Sequence, residues 1–345
     1  MKNLLYILIA LTALVFSSCS NKVDLYNDDG NTTIVYAMLD ANADTNFFKI
    51  THSFIGNANE LAQNYEANNY KYDEIDVTFS GVFEGSSAAQ TITLDTISKW
   101  IPVNENTPFY SGCWQTYYYT TKKLIEGKEY TLNVLRKEDN INITAKATTI
   151  NSFRYRKPLA NQPVKFTEVR RFTIEWNVPD ASTNYMTTAA YFEVDTYFNF
   201  KELQPGATDT AYISLRWPVG SDKAEDLYTT SNNASYYAMT YTPEALYSFL
   251  DNNVYLKENS PAGVQRWFDK FEFRISAMGE ELYNYYIITN STSAIQDVPN
   301  YTNVENGMGI MSSRISKSSF HTINQVDRQK IQNEFPYGFI YDPNR

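Results

Sequence analysis

Short stretches in which apolar and polar residues alternate are the feature that most constrains the fold of this chain. Residues 47–54, 75–83 and 91–97 show the pattern, and clusters of turn-forming residues separate such stretches. Alternation with a period of two predicts half-buried strands. The chain also contains 28 Tyr and 20 Phe, and both residue types favour strands. The sequence therefore predicts a mainly β protein.

The predicted strands form two groups, and a chain of 345 residues is long enough for two domains. Regular turn signals over residues 32–150 are typical of a β-sandwich, and we predict an Ig-like one. Residues 151–163 are basic and contain Pro158 and Pro163, so we predict a linker there. Residues 164–345 are predicted to form a second β-rich sandwich domain that includes a few short helices.

Three helix patterns lie in the second group. In residues 242–250, Thr242 can cap the helix and Pro243 suits the first helical position. Residues 279–288 predict an amphipathic helix with an aromatic face. Residues 325–335 predict a charged helix near the end of the chain.

The first nineteen residues resemble a bacterial lipoprotein signal. Lys2 precedes an apolar run over residues 4–16, which is too short to span a bilayer comfortably and fits a signal peptide. Ser17, Ser18 and Cys19 then fit the pattern of a lipobox. An ordinary secretory signal that lies near Cys19 by chance is the alternative.

The lipobox resemblance implies that residues 1–18 are removed as a signal peptide and that Cys19 is lipidated. Several acyl chains on one residue hold a protein stably on a membrane. Residues 19–31 are polar, so we predict a tether between the lipid and the fold. Scattered acidic residues in this tether resemble the surface-export signal of Bacteroidota lipoproteins, which favours the cell surface and leaves the periplasmic face open.

The charge and the composition limit the possible partners. The formal net charge is −10, and an acidic surface repels phosphate, so we predict no nucleic-acid partner. Two His and two Cys leave little for a metal site or a disulfide scaffold. The chain contains no nucleophile elbow, zinc-protease, P-loop or dinucleotide-binding motif, and we predict no catalytic residue, no metal and no cofactor.

One acidic stretch resembles the start of a calcium-binding loop. Asp40, Asn42 and Asp44 have the right spacing, but such loops need Gly at position six and Glu at position twelve. Thr45 and Thr51 occupy those positions. The stretch is therefore predicted to be a hairpin turn.

Six further residues have a structural interpretation and a functional alternative. His52 is predicted to be structural, with a catalytic or metal-binding role as the alternative. Cys113 is predicted to be a buried apolar residue, since a nucleophile would need a His partner. The pair Glu280–Glu281 favours a helix start over acid–base work. Gly307 and Gly309 favour a turn, although bare backbone could also receive a ligand.

The consecutive aromatics Tyr117, Tyr118 and Tyr119 point alternately to two faces of a strand. Exposed aromatic side chains can stack on sugars or anchor a protein partner, whereas buried ones fill a core. Residues 95–97 and 209–211 resemble the O-glycosylation signal of the same phylum, and a chance match in a Thr-rich chain is the alternative.

Three regions together resemble a family of outer-membrane lipoproteins of the Bacteroidota. They are residues 34–39 with 48–56, residues 124–132, and residues 301–310. The resemblance implies two β-rich domains, an outer-membrane location and an association with TonB-dependent transporters. It implies no catalytic residue.

These features predict a lipid-anchored envelope protein that binds rather than catalyses, as an accessory to nutrient uptake across the outer membrane. The predicted partners are the membrane, through lipidated Cys19, and a TonB-dependent transporter or a surface glycan or protein. An adhesin or pilus-type component is the alternative, and it predicts an exposed edge strand. A glycan-active enzyme is the third possibility, and it predicts two neighbouring carboxylates in a cleft.

Overall fold

A computed structural model provides the structure of this protein. It describes residues 32–53, 69–71, 73–102, 113–166, 170–178, 187–231, 234–255, 263–290, 301–334 and 338–340. Cys19, the signal peptide and the tether lie outside the described residues. Within the described part, no helix combines the length and the apolar character needed to cross a membrane.

Strands dominate the described residues. In chain order they are β1 (Thr33–Leu39), β2 (Asn46–His52), β3 (Ile75–Gly81), β4 (Gln90–Thr93), β5 (Asp95–Ile101), β6 (Cys113–Thr120), β7 (Glu129–Arg136), β8 (Ile141–Thr148), β9 (Arg154–Lys157), β10 (Phe172–Asn177), β11 (Tyr191–Leu203), β12 (Ala211–Lys223), β13 (Tyr228–Ser231), β14 (Ala234–Tyr241), β15 (Gln265–Met278), β16 (Val304–Glu305) and β17 (Met308–His321).

The helices of the described residues are few and short. They are α1 (Ala224–Leu227), α2 (Pro243–Leu250), α3 (Glu280–Asn290) and α4 (Gln325–Glu334), and a π-helical turn over Asp251–Tyr255 extends α2. The prediction of a mainly β protein with short helices is confirmed. The Ig-like character of the first part stays a prediction.

The strands form three sheets. The largest has eight strands in the order β12-β11-β15-β17-β1-β2-β6-β5. A five-stranded sheet has the order β16-β8-β7-β3-β4, and a four-stranded sheet has the order β13-β14-β10-β9. Buried side chains of the eight-stranded sheet face the five-stranded sheet near one end and the four-stranded sheet near the other. The other surface of the eight-stranded sheet faces away from these two sheets, and we call it the outer face.

Two hydrophobic cores divide near residue 150. One core contains side chains from 35–147 together with Val304 and Met311, and the other runs from Ile150 to Phe339. The eight-stranded sheet nevertheless continues from one core to the other, because β1 pairs in parallel with β17. The boundary at 151–163 stays a prediction.

Two segments between predicted elements are strands. β9 lies within the predicted linker 151–163 and pairs with β10 at the edge of the four-stranded sheet. The hairpin β13–β14 was not predicted, because its sequence is rich in Thr, Ser and Asn and lacks clear alternation. The stretch predicted as one strand over residues 91–97 forms two strands that belong to different sheets.

The helix at α2 forms where the sequence predicts it. Thr242 occupies the N-cap position, but its side chain makes no capping hydrogen bond, so the prediction of a threonine cap is wrong. Pro243 at the first helical position and the buried Leu246 and Leu250 explain the helix, since most helix stability in proteins comes from packing of the apolar face.

Candidate functional site

The outer face of strands β2, β6 and β5 presents aromatic side chains to solvent. In β2 the alternation buries Phe48 and exposes Phe47, which keeps 38% of its surface accessible. Phe47 is opposite Tyr119 of β6 and Phe48 is opposite Tyr118. Directly opposed residues of an antiparallel pair share a face, so Tyr119 and Tyr117 lie beside Phe47 and Tyr118 points inward.

The inward residues fix this arrangement. The ring of Phe48 packs at 4.9 Å from the ring of Phe79, which lies in β3 of the facing sheet. Tyr118 is buried, and burial raises its pKa to about 12, with smaller contributions from Tyr70 and Glu74. Tyr118 therefore stays protonated and anchors β6, while its two neighbours remain on the outside.

Three rings and one cation form a compact cluster on the outside. The ring centroid of Phe47 lies 6.0 Å from that of Tyr119 and 6.4 Å from that of Tyr117. The Nζ atom of Lys99 lies 4.0 Å from the Phe47 centroid and 5.9 Å from the Tyr117 centroid. Both distances fit a cation–π interaction, which orders the rings before any partner arrives.

Apolar side chains extend this cluster along the sheet. Tyr36 and Met38 of β1 and Ile97 and Ile101 of β5 are all large and exposed. The pairing of Tyr36 with Lys49 and of Ile97 with Tyr117 places these residues on the same surface as Phe47. We call this surface the aromatic face, and its members are Tyr36, Met38, Phe47, Ile97, Lys99, Ile101, Tyr117 and Tyr119.

Strand β5 ends the eight-stranded sheet beside the aromatic face. Each of its seven residues is exposed. Trp100 pairs with Trp114 of β6 on the opposite surface of the sheet, where their ring centroids lie 5.7 Å apart. They keep 46% and 52% of their surfaces exposed. Apolar groups thus line both surfaces of this edge strand, which is a feature of interaction sites.

The tyrosine alternation predicted from the sequence is present at Tyr117–Tyr119. Phe47 and Lys99 were missed as members of the site, since they come from strands that neighbour β6 only in the folded sheet. Cys113 begins β6, but its side chain lies outside the described part. Cys19 lies outside it as well.

The suspected calcium stretch forms a turn. The N–H of Asn42 donates to Oδ1 of Asp40 at 2.7 Å, and the N–H of Asp40 donates to Oδ1 of Asn46 at 2.8 Å. The first of these hydrogen bonds is typical of an Asx turn, and the second closes the loop between β1 and β2. Among the described residues, no group of three or more His, Cys, Asp or Glu side chains could hold a metal ion.

His52 and Glu281 have local structural contacts. Nδ1 of His52 lies 2.9 Å from the carbonyl oxygen of Ser53, and its ring packs edge-on against Tyr70. Glu281 accepts a hydrogen bond from the hydroxyl of Tyr301. Ser312 of β17 accepts the hydrogen bond from the N–H of Leu282, so a residue distant in sequence supplies the capping contact.

Gly307 and Gly309 contact another strand of the same chain. A Cβ atom at Gly309 would lie 2.0 Å from the carbonyl oxygen of Val35, and one at Gly307 would lie 2.8 Å from that of Thr33. Two glycines permit another group to approach the backbone closely. In this fold that group is the backbone of β1.

Acidic residues concentrate at the other end of the outer face, on β11 and β15. Arg216 contacts both Glu193 at 2.8 Å and Asp195 at 3.0 Å. Arg274 contacts Glu272 at 2.6 Å. The carboxylates of Glu193, Asp195 and Glu272 are therefore paired with arginines. The hydrogen bond to Asp195 is the main cause that raises the pKa of Arg216.

The two Thr residues of the suspected glycosylation signals, Thr96 and Thr210, are both exposed. Exposure is a condition for such a modification.

Comparison with known proteins adds no family to these observations. No protein-family model matches the chain, and the curated proteins contain no significant match to it.

Proposed function

We propose that this chain is a lipid-anchored binding protein of the cell envelope and that its aromatic face contacts a protein partner. The observation that carries the proposal is the cluster of Phe47, Tyr117 and Tyr119, ordered by Lys99 and continued by exposed aliphatic side chains. Aromatic residues and Met are enriched in protein interfaces, and a few central aromatics supply most of the binding energy.

A protein partner fits this surface better than a sugar does. Sugar stacking needs an open ring face, and Lys99 covers the face of Phe47 at 4.0 Å. Met38, Ile97 and Ile101 add aliphatic rather than hydrogen-bonding surface. The family resemblance suggests the class of partner, a TonB-dependent transporter, and lipidation of Cys19 would hold both proteins at the same membrane.

The test is capture from intact cells with a tagged full-length chain, after brief crosslinking. We expect a transporter barrel to be captured with the wild-type chain and to be lost with the double variant Phe47→Ser, Ile97→Ser. The matched control is Tyr212→Ser, Phe320→Ser, because both residues are exposed apolar side chains on strands away from the aromatic face. Equal capture by the two variants, or no barrel with the wild type, would contradict the proposal.

The anchor is tested separately. Cys19→Ser removes the acceptor of the lipid, and we expect the chain to move from the membrane pellet to the soluble fraction. A variant that stays in the pellet would contradict the lipid anchor without affecting the test of the aromatic face.

An adhesin or pilus-type role is the second candidate, and the edge strand β5 favours it. An exposed edge of seven residues offers backbone groups for pairing with a strand from another chain. This role predicts a ladder of polymers when the soluble Cys19→Ser chain is run on a native gel. A single monomer band would favour the accessory role instead.

A further inference from the structure

A groove of about 660 Å³ lies at strands β9 and β10, far along the chain from the aromatic face. Its walls come from these two strands and from the segment between them, over residues 158–165. The volume falls within the range of small-molecule sites. Nothing in the proposed function uses this groove.

Positive charge dominates the groove. Arg156, Lys157, Lys165 and Arg171 line it, and Glu175 is the one carboxylate among the lining residues that the structure describes. Among the described lining residues, four cations accompany one carboxylate, in a chain whose net charge is −10. A concave surface with one sign of charge concentrates ligands of the opposite sign.

Glu175 organises two of these cations. It is only 4% exposed, and its two carboxylate oxygens lie 2.7 Å from Nζ of Lys157 and 3.0 Å from Nε of Arg156. The guanidinium of Arg156 also lies 4.7 Å from the ring centroid of Tyr236. Arg156 is therefore held on two sides before a ligand binds, which reduces the entropic cost of binding.

Donors remain for a ligand after these contacts. The ion pair with Glu175 uses Nε of Arg156, and a guanidinium has four further N–H groups. Arg171 is exposed immediately before β10, and its planar guanidinium adds a second donor group that suits the geometry of an oxyanion. The amide of Gln162 lines the same groove.

The remaining walls are apolar. Pro158, Val164 and Phe172 contribute carbon surface between the cations. A binding site that combines an apolar wall with a few charged groups recognises a ligand with a compact body and charged substituents. We propose that the groove binds a small ligand that carries two or more oxyanion groups, carboxylate or sulfate, on a ring-sized body.

Calorimetric titration of the soluble Cys19→Ser chain in 150 mM salt tests the proposal. The probes are digalacturonate, a sulfated heparin disaccharide, inorganic phosphate and the neutral disaccharide maltose. We expect at least one of the two dianionic sugars to bind, with affinity that falls as salt increases, and we expect maltose not to bind. Phosphate alone is expected to bind more weakly than these sugars, because it has no body to contact the apolar wall.

Variants locate the binding. Arg171→Ala is expected to weaken binding at least about tenfold, the loss that follows when a charge-assisted hydrogen bond is removed. Arg156→Lys keeps a cation for Glu175 and removes the planar fork, so we expect a similar loss in a folded protein. The matched control is Arg154→Ala, which removes the same charge from an exposed residue of β9 that does not line the groove.

The proposal is overturned if none of the anionic probes binds, if maltose binds as well as they do, or if Arg154→Ala weakens binding as much as Arg171→Ala. The double variant of the aromatic face, Phe47→Ser, Ile97→Ser, is expected to bind the probes as the wild type does. Failure of one site is thereby distinguished from failure of the other.

Discussion

At position 309 the chain has no room for a side chain. The φ angle of Gly309 is +105°, and the carbonyl oxygen of Val35 lies where a Cβ atom would be placed, at 2.0 Å. The clash is with the backbone of β1, which cannot move without breaking its parallel pairing with β17. Gly309 therefore permits the parallel contact between β1 and β17.

Replacing Gly309 with Ala is expected to lower the free energy of unfolding by more than about 3 kcal/mol, since backbone strain and overpacking add. Gly85→Ala is the matched control, because Gly85 also has positive φ, at +81°, but no atom lies within 4 Å of its Cβ position. The control substitution is expected to lower the free energy of unfolding by about 1–2 kcal/mol. Urea denaturation of both variants measures the difference, and equal losses would contradict the backbone clash.

The sequence pointed to Gly307 and Gly309 as unusual but could not identify their neighbour. Val35 lies near the opposite end of the chain, and no local pattern connects it to Gly309. The same limit applies to the aromatic face. Alternation predicted the opposed faces of Tyr118 and its two neighbours, whereas the contact between Phe47 and Lys99 depends on strand order.

His321 is the buried histidine of the described residues. Burial lowers its pKa below the usual 6.5, and the hydrogen bond from its Nδ1 to the carbonyl of Gln162 opposes this only in part. The unfolded chain therefore binds a proton more readily than the folded chain does. The contribution of neutral His321 to the free energy of unfolding is therefore fully present above about pH 6.5. It is lost as the pH falls below that value, because protonation then favours the unfolded state.

We expect the free energy of unfolding of the wild type to fall between pH 7.5 and pH 5.5 and that of His321→Asn to fall less steeply. Asn keeps hydrogen-bonding capacity and removes the titrating ring. Chemical denaturation at several pH values in this window measures both slopes. Parallel slopes for the two proteins would show that His321 does not contribute.

At the scale of elements, Leu94 separates two strands that alternation predicted as one. β4 pairs with β3 in the five-stranded sheet, and β5 pairs with β6 in the eight-stranded sheet. Leu94 between them is buried in the core, and its N–H donates to the carbonyl of Val77 at 3.1 Å. The buried side chain of Leu94 thus anchors the chain where it passes from the five-stranded sheet to the eight-stranded sheet.

Leu94→Ala is expected to destabilise the protein by about 2–4 kcal/mol, as a large-to-small change in a core does. Ile97→Ala, three residues away and exposed, is the control, and we expect a change within about 0.5 kcal/mol. Thermal denaturation of the two variants provides the comparison. A Leu94→Ala protein as stable as the control would mean that the crossing does not depend on this side chain.

The elements that the sequence predicted well carry their own signals. α2 has Pro243 at its start and a buried stripe with helical spacing, and the hairpin of β1 and β2 has clear alternation. The last six residues of β17 are mostly polar and show no alternation that would predict a strand. Its C-terminal part pairs with β15, so a neighbouring strand rather than apolar periodicity defines its length.

At the scale of the whole molecule, β17 belongs to both halves of the protein. Met311 enters the core formed mainly by residues 35–147, and Ile315 enters the other core. β17 also pairs with β1 on one side and with β15 on the other. Sequence reasoning could not predict this arrangement, because parallel pairing between distant segments leaves no turn signal between them.

Residues 32–150 are therefore expected not to fold as an isolated fragment. Without the rest of the chain, β1 loses its parallel neighbour and becomes an exposed edge, and the core loses Val304 and Met311. We expect poor dispersion in an amide NMR spectrum and no cooperative thermal transition. The control is the chain 32–345, for which we expect both a dispersed spectrum and a cooperative transition.

Adding back the missing strand sharpens this last test. A peptide of residues 301–321 supplies β16, β17 and both absent core residues, so we expect it to restore amide dispersion to the fragment. The same peptide with Gly309→Ala is expected to fail, since the clash with Val35 blocks the parallel pairing. A fragment 32–150 that folds alone would show instead that the first core is complete without β17, and the protein would then consist of two independent domains joined by a shared sheet edge.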